Sequence, residues 1–167
     1  MRMTLLLLCL FAAGGARAQS LAGRHKMDEK YGFRDVRFGT PVSAFSNLIL
    51  FKNNEDVKVY KKRGENLSLG SYKLNGVAYS FYNSELMGVV CAVTGQLNVA
   101  GVKKMLGAAY GPPTKAGTKE EWVSEKVRIQ WLPLGAGYAF VTAESIPLMA
   151  KKQASSAALD KKAASDL

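Results

Sequence analysis

The stretch VAYSFYNSELMGVVCAV, residues 77–93, has the clearest secondary-structure pattern in this chain. Val77, Tyr79 and Phe81 recur at every second position, which is the period of a strand with one buried face. A polar turn, Asn83-Ser84-Glu85, follows, and a second apolar run occupies residues 86–93. Two such runs joined by a short polar turn predict a β-hairpin.

Further strands are predicted on both sides of this hairpin. Their ranges are Asp56–Arg63 and Leu67–Leu74 before it, and Glu121–Ser124, Val127–Leu132 and Gly137–Thr142 after it. The connections between these strands are too short for helical crossovers, so the sheet is predicted to be antiparallel.

Two helices are predicted to accompany the strands. Thr40 can cap a first helix and Pro41 can take its first position, with Val42, Phe45, Leu48 and Ile49 at helical spacing. A second helix is predicted to be capped by Asn98 and to end at Gly111-Pro112-Pro113. Leu97 and Val102 occupy its two staple positions. Its buried face is predicted to consist of Val102, Met105, Leu106, Ala109 and Tyr110.

The order of these elements predicts an α+β fold. Its antiparallel sheet is expected to be built from two helix-then-meander units, with the helices packed on one face. Residues 31–149 are predicted to form this single domain. Residues 19–30 are polar and lack any period, so they are predicted to be a flexible leader. Residues 150–167 are mostly Ala, Ser and Lys, and they are predicted to be a disordered tail or a frayed helix.

The first eighteen residues have the pattern of a secretory signal peptide. Arg2 precedes an apolar run from Leu5 to Ala13, and Ala16-Arg17-Ala18 matches a cleavage site. We therefore expect an exported protein, periplasmic or extracellular, without a transmembrane span after cleavage. Cleavage would leave Cys91 as the one cysteine, so no intrachain disulfide is expected. A small exported domain without disulfides favours a bacterial source.

The composition argues against several chemistries. The chain has 23 Lys+Arg, 13 Asp+Glu and one His, for a net charge of +10, and loss of Arg2 and Arg17 would leave +8. The one imidazole, His25, lies in the predicted leader, so no Ser-His-Asp or Cys-His catalytic group is expected. No cluster has metal-ligand spacing, and no cofactor motif is present. We predict no catalytic residue, no metal site and no cofactor.

Cys91 and the carboxylates are the remaining candidates for chemistry. Cys91 alternates with Met87, Val89 and Val93, which predicts a buried thiol. The carboxylates considered for acid–base work are Asp35, Glu85, Glu120, Glu121, Glu125 and Glu144. Nothing in the sequence selects a pair among them, and solvated surface charge explains them better.

A basic segment is the strongest binding signal. The candidate anion-binding residues are Lys58, Tyr60, Lys61, Lys62 and Arg63. Their charges can contact phosphates or an acidic polymer, and Tyr60 can stack. The favoured alternative is that these lysines protect an edge strand against aggregation. The expected partners are an envelope protein or an anionic surface. Nucleic acid is not expected, and the oligomeric state is left open.

Two resemblances accompany these patterns. YGFRDVRFGTP, residues 31–41, together with Tyr110-Gly111-Pro112, resembles a pattern in uncharacterised exported bacterial proteins. The resemblance implies a bacterial, exported origin. The order of elements is similar in layout to the outer-membrane assembly lipoprotein modules and to the β-lactamase inhibitor protein fold, and no function is carried over from either.

The leading functional prediction is an exported, non-enzymatic binding or envelope-associated module. One alternative is a small secreted or periplasmic enzyme that uses carboxylates or Cys91. A second alternative is an anionic-surface binder that uses residues 58–63. A polar pocket around Glu or Cys91 would favour the enzyme, and an exposed apolar or basic surface would favour binding.

Overall fold

The structure, a computed structural model, describes residues 20–54, 56–135 and 137–165. The signal peptide predicted at residues 1–18 lies outside these residues. Among the described residues, no helix is long and apolar enough to cross a membrane.

The described chain contains α-helices, one short 3-10 turn and a set of β-strands. The α-helices are α1 (Leu21–Lys30), α2 (Gln96–Tyr110) and α3 (Ile146–Ser165), and the 3-10 turn spans Val42–Ala44. The strands of the large sheet are β3 (Leu48–Asn54), β4 (Val57–Lys62), β7 (Gly76–Tyr82), β8 (Glu85–Thr94), β9 (Thr114–Ala116), β10 (Lys119–Val123), β11 (Val127–Gly135) and β12 (Tyr138–Ser145). Two small hairpins are β1 (Gly32–Phe33) with β2 (Val36–Arg37), and β5 (Ser68–Leu69) with β6 (Tyr72–Lys73).

The large sheet is antiparallel and has eight strands in the order β3-β4-β7-β8-β12-β11-β10-β9. A first meander, β3 to β8, therefore meets a second meander, β9 to β12, along the β8–β12 pair. The mixed α/β composition and the antiparallel sheet confirm the coarse fold prediction. The hairpin predicted at residues 77–93 is also confirmed, because Val77 pairs with Cys91 and Tyr79 with Val89.

One face of the sheet, here called the inner face, carries the main hydrophobic core. Its buried sheet residues are Val77, Tyr79, Phe81, Val89, Cys91, Val93, Trp122, Val127, Ile129, Trp131, Ala139, Val141 and Ala143. Met27 of α1 and Val102 and Leu106 of α2 belong to the same core. Both helices therefore cover the inner face, and the buried side of α2 is confirmed at these two positions.

Of the three helices in the described ranges, α3 alone packs against the opposite, outer face. Leu148 at the start of α3 forms a small separate cluster with Tyr82 and Met87. Tyr82 follows Phe81 of the main core in the same strand, so the two side chains lie on opposite faces. The prediction that all helices pack on one face is therefore wrong, because the third helix covers one end of the other face.

The prediction of a first helix, starting at Thr40 and Pro41, is also wrong. Only residues Val42–Ala44 make a 3-10 turn, and the chain then enters β3 at Leu48. Asn47 takes a positive φ of 60° between the two elements. The apolar residues at helical spacing belong instead to a strand that pairs with β4. Leu48 lies opposite Lys62, and Leu50 lies opposite Tyr60.

The segment predicted as a leader contains α1. The side chain of Ser20 caps this helix by accepting a hydrogen bond from the Gly23 N–H at 3.1 Å. Met27 and Gly23 are its only buried residues, so the sequence carries little helical periodicity. At the other end of the chain, α3 continues through the segment predicted as a tail and is exposed from residue 157 onward.

The start of α2 differs from the prediction. Gly95, not Asn98, is the N-cap residue, and Asn98 lies inside the helix. The Asn98 amide instead donates to the Thr94 carbonyl at 3.1 Å and accepts from the Lys73 N–H at 3.4 Å. Leu97 is exposed, so it makes no staple with Val102.

Candidate functional site

The predicted basic segment occupies β4 and the turn after it. Strand β4 pairs with β3 on one side and with β7 on the other. The segment is therefore an interior strand of the sheet, and the interpretation of its lysines as edge protection is wrong. The edge position belongs to β3, which the sequence did not reveal because the order of strands depends on pairing between distant segments.

Three of the predicted anion-binding residues, Lys58, Tyr60 and Lys62, alternate along β4 and lie on the inner face. The Tyr60 ring packs edge-on against Phe81, with ring centroids 5.4 Å apart, and joins the margin of the main core. Lys58 lies beside it at a hollow of about 330 Å³ that Asp56 also lines. Because Tyr60 is engaged with the core, its ring is not a free platform for stacking.

Lys61, Lys62 and Arg63 do not share one site with Lys58. The Lys61 ammonium lies on the outer face, 3.8 Å from the centre of the Phe51 ring. Lys62 lines a separate hollow of about 420 Å³ together with Arg37. Arg63 is exposed, and its backbone N–H donates to the Asn47 carbonyl at 2.9 Å. The structure thus brings the predicted residues to one corner of the sheet but divides them between its two faces.

Strand β3 exposes large apolar side chains at the edge of the sheet. Ile49 is 47% exposed, Leu50 51% and Phe51 60%. An irregularity in the pairing with β4 falls between Leu50 and Lys52, which places Phe51 at a β-bulge. Sequence reasoning missed this strand, although the run Leu48-Ile49-Leu50-Phe51 has the composition of one.

The outer face carries an apolar surface that α3 leaves uncovered. It is called here the outer-face patch and consists of Ala78, Val90, Ala92, Leu132 and Phe140. Cross-strand pairing joins these residues, since Ala78 lies opposite Val90, Ala92 opposite Phe140, and Phe140 opposite Leu132. Each is partly exposed, and none belongs to either hydrophobic cluster.

Polar side chains border the outer-face patch. Gln130 donates to the Glu121 carboxylate, and the Thr142 hydroxyl donates to the Gln130 side-chain oxygen at 3.4 Å. Val90 lies opposite Thr142, so this polar row continues directly from the patch. An apolar centre with a hydrogen-bonding rim is the usual composition of a protein-binding surface.

Glu144 and Arg128 lie opposite each other on the same face, next to α3. Burial raises the pKa of the Glu144 carboxyl, and the positive charges of Arg128 and Lys119 offset part of that rise. Both side chains line a small cavity of about 80 Å³ against Met149. Glu144 also lines a neighbouring hollow of about 600 Å³ together with Asp56.

The other candidate carboxylates lie apart from one another. Glu85 approaches Lys151 at 3.7 Å, and Glu120 binds Lys103 at 2.8 Å. Asp35 and Glu125 are exposed. Among residues 20–54, 56–135 and 137–165, no three His, Cys, Asp or Glu side chains are placed to hold a metal ion.

Cys91 is buried, as predicted, and it shares the inner face with Val89 and Val93. Met87, predicted on the same face, lies in the outer-face cluster, because an irregularity in the β7–β8 pairing changes the alternation. Cys91 is 2% exposed, and burial raises the pKa of its thiol to about 12. A thiol nucleophile must ionise near neutral pH, so this environment works against a catalytic role.

Near Cys91 lies a polar cluster that the sequence did not predict. The Arg34 guanidinium binds the Glu65 carboxylate at 2.5 Å and donates to the Asn66 and Ser68 carbonyls at 2.6 and 2.8 Å. The Tyr79 hydroxyl donates to the same carboxylate at 2.7 Å. Each of these bonds joins β5 or the loop before it to the hairpin β1–β2 or to β7, so the cluster ties these segments together.

His25 is exposed on α1, where its Nδ1 lies 3.5 Å from the Glu29 carboxylate, one helical turn away. This is a surface helix pair. His25 also lines a hollow of about 530 Å³ together with Asp28 and Ser124. Comparison of the chain with protein-family models, with curated proteins and with solved structures gave no significant match.

Proposed function

We propose that this protein is a non-enzymatic binding module whose binding surface is the outer-face patch. The observation that carries the proposal is the uncovered apolar side of the sheet. Helices α1 and α2 cover the inner face, whereas α3 covers the outer face only around Leu148. A contiguous apolar surface rimmed by polar side chains is typical of a protein-interaction site.

The composition of the patch supports binding to another protein. Phe140 and Leu132 are the large side chains at its centre, and Ala92 beside them leaves room for a partner side chain. Rigid strands hold these residues, so little ordering entropy is lost on binding. Burial of Cys91 and the separation of the carboxylates favour this proposal over the enzyme alternative.

Site-specific photo-crosslinking in the native host tests the proposal. A benzophenone amino acid at position 140 or 132 is expected to give one discrete adduct with a partner protein. The matched control is the same amino acid at position 115, since Lys115 is exposed on β9 away from the patch. Absence of an adduct from positions 132 and 140, or the same adducts from position 115, would contradict the proposal.

We also propose that the protein is exported after cleavage behind Ala18. The sequence pattern of residues 1–18 supports this, and mass spectrometry of the mature protein tests it. A periplasmic or extracellular protein beginning at Gln19 is expected. Recovery of the protein with residues 1–18 attached would contradict it.

The finer layout of two helix-then-meander units remains part of the proposal. The supporting observation is that α2 precedes the meander β9 to β12. Before the meander β3 to β8, α1 takes the place of the helix predicted from Thr40. The bacterial, exported origin implied by the resemblance of residues 31–41 also remains a prediction. The binding proposal depends on neither.

A further inference from the structure

The free edge of β3 is a surface separate from the outer-face patch. Strand β3 ends the large sheet among the described residues. The backbone N–H and C=O groups on its far side therefore face no neighbouring strand. Such groups form a template on which another extended chain can pair.

The usual protections of a sheet edge are weak at this strand. The opposite edge strand, β9, has three residues, and its centre is Lys115. By contrast, β3 has seven residues, and Ile49, Leu50 and Phe51 are about half exposed. Its bulge at Phe51 interrupts regular pairing only once. An apolar edge of this length is costly to leave bare, which indicates that a partner covers it.

Basic side chains surround the β3 edge. They are Lys52, Lys58, Lys61, Lys62 and Arg63, against Glu55 and Asp56 as the acidic residues of the same segment. None of the five makes an ion pair with another described residue. The edge therefore combines backbone groups without a neighbouring strand, apolar side chains and an excess of basic over acidic residues.

We propose that β3 binds an extended segment of another protein that adds to the sheet as a ninth strand, with apolar residues at its centre and acidic residues at its ends. The backbone groups of β3 would provide affinity without regard to sequence. Ile49 and Phe51 would contact the apolar centre, and the surrounding lysines would select the acidic ends.

The same observations argue against two other occupants. A second copy of this chain would bring an identical set of basic residues to the same edge, where like charges oppose pairing. An anionic bilayer would satisfy the lysines but would offer no extended chain to pair with the backbone groups of β3. An acidic, extended protein segment meets both requirements.

Peptide binding to the purified protein tests this proposal. The probe is a fluorescein-labelled peptide, Glu-Val-Thr-Val-Thr-Val-Glu, measured by fluorescence anisotropy at low salt. Saturable binding is expected. A twin peptide with Lys at both ends should bind roughly five- to tenfold more weakly, because two exposed charge pairs are lost. A twin with N-methylated central residues should not bind, because its backbone donors are removed.

Matched variants locate the site. Phe51→Thr should weaken binding of the acidic peptide, whereas Leu97→Thr, which alters an exposed leucine on α2, should leave it unchanged. Phe140→Ser should also leave it unchanged, so that failure of this proposal and failure of the outer-face proposal are distinguishable. Thermal unfolding of each variant confirms that it is folded.

Four results would overturn the proposal. The first is that the acidic peptide does not bind. The second is equal binding of the N-methylated peptide, which would show charge attraction alone. The third is complete displacement of the peptide by phosphatidylglycerol vesicles, which would make a membrane surface the partner. The fourth is a dimer in sedimentation experiments that Phe51→Thr abolishes, which would make a second copy the occupant.

Discussion

The carboxylate of Asp28 on α1 accepts a hydrogen bond of 2.6 Å from the hydroxyl of Ser124, 96 residues away in the sequence. The same carboxylate accepts from the backbone N–H groups of Lys126 at 2.9 Å and of Glu125 at 3.3 Å. Asp28 therefore caps the β10–β11 turn and ties α1 to the second meander.

Replacing Asp28 with Ala is expected to lower the free energy of unfolding by about 1–2 kcal/mol, the usual cost of losing a cap. Urea denaturation at neutral pH measures this. Asp28→Asn, which keeps one acceptor oxygen, is the matched control and should lose less. A variant with wild-type stability would show that α1 is held by Met27 alone.

The effect of Asp28 is also expected to depend on pH. Burial raises the pKa of its carboxyl, but the hydrogen bonds from Ser124, Lys126 and Glu125 outweigh burial and lower it from the ordinary value of 3.8. A lowered pKa stabilises the fold above that value, and the stabilisation is lost as the pH falls through the folded pKa. The difference between wild type and Asp28→Ala should therefore shrink in acid.

Alanine substitutions at two glycines of α2 are expected to change the free energy of unfolding in opposite directions. A methyl group at Gly107 meets no atom within 4 Å, so Gly107→Ala should raise the free energy of unfolding by about 1 kcal/mol through helix propensity. A methyl group at Gly101 would lie 2.0 Å from the ring of Tyr72, so Gly101→Ala should displace that ring and destabilise the protein. Thermal unfolding of both variants measures the contrast, and equal stabilisation by both would contradict it.

The Cys91 thiol is expected to destabilise the fold at high pH. Its pKa rises from 9.0 to about 12 on folding, so the unfolded chain loses its proton first. Stability is therefore complete below pH 9 and falls by about 1.4 kcal/mol per pH unit above it, until the folded thiol also ionises. Denaturation at about pH 8 and about pH 10 measures this, with Cys91→Ala as the control. If both proteins lose the same stability, Cys91 is not responsible.

Glu144→Gln is expected to stabilise the protein at neutral pH by up to about 1 kcal/mol. Burial raises the pKa of the Glu144 carboxyl, so its charged form is unfavourable in the fold. This cost is absent in acid, begins as the pH rises above the ordinary pKa of 4.5, and is complete above the raised pKa. Unfolding measured at neutral and acidic pH tests the trend, and Glu125→Gln at an exposed position is the control. Lower stability of the Gln variant would show that attraction to Arg128 dominates instead.

The sequence predicted the β7–β8 hairpin better than the helix near the start of the described chain. The β7–β8 hairpin was predictable because Val77, Tyr79 and Phe81 alternate and a polar turn follows them. The burial of Cys91 was predictable from its alternation with Val89 and Val93 in the same hairpin. By contrast, α1 is fixed by contacts from distant residues, such as Ser124 to Asp28, which leave no local periodicity.

The candidate surfaces were less predictable than the fold. The basic residues of β4 were identified correctly as a charged segment, but their division between two faces depends on the pairing of β4 with β3 and β7. The outer-face patch is made of residues that read individually as ordinary strand residues. Their exposure depends on where α3 runs, which only the folded structure specifies.

The seam between the two meanders has a consequence for biosynthesis. Strand β8 is covered on one side by β12, whose residues are made about fifty positions later in the chain. Until β12 is complete, β8 and its apolar side chains form a temporary sheet edge. A nascent or truncated chain that ends before β12 is thus prone to pair with its neighbours. The last strand to be synthesised, β12, therefore also removes a temporary aggregation site from the unfinished protein.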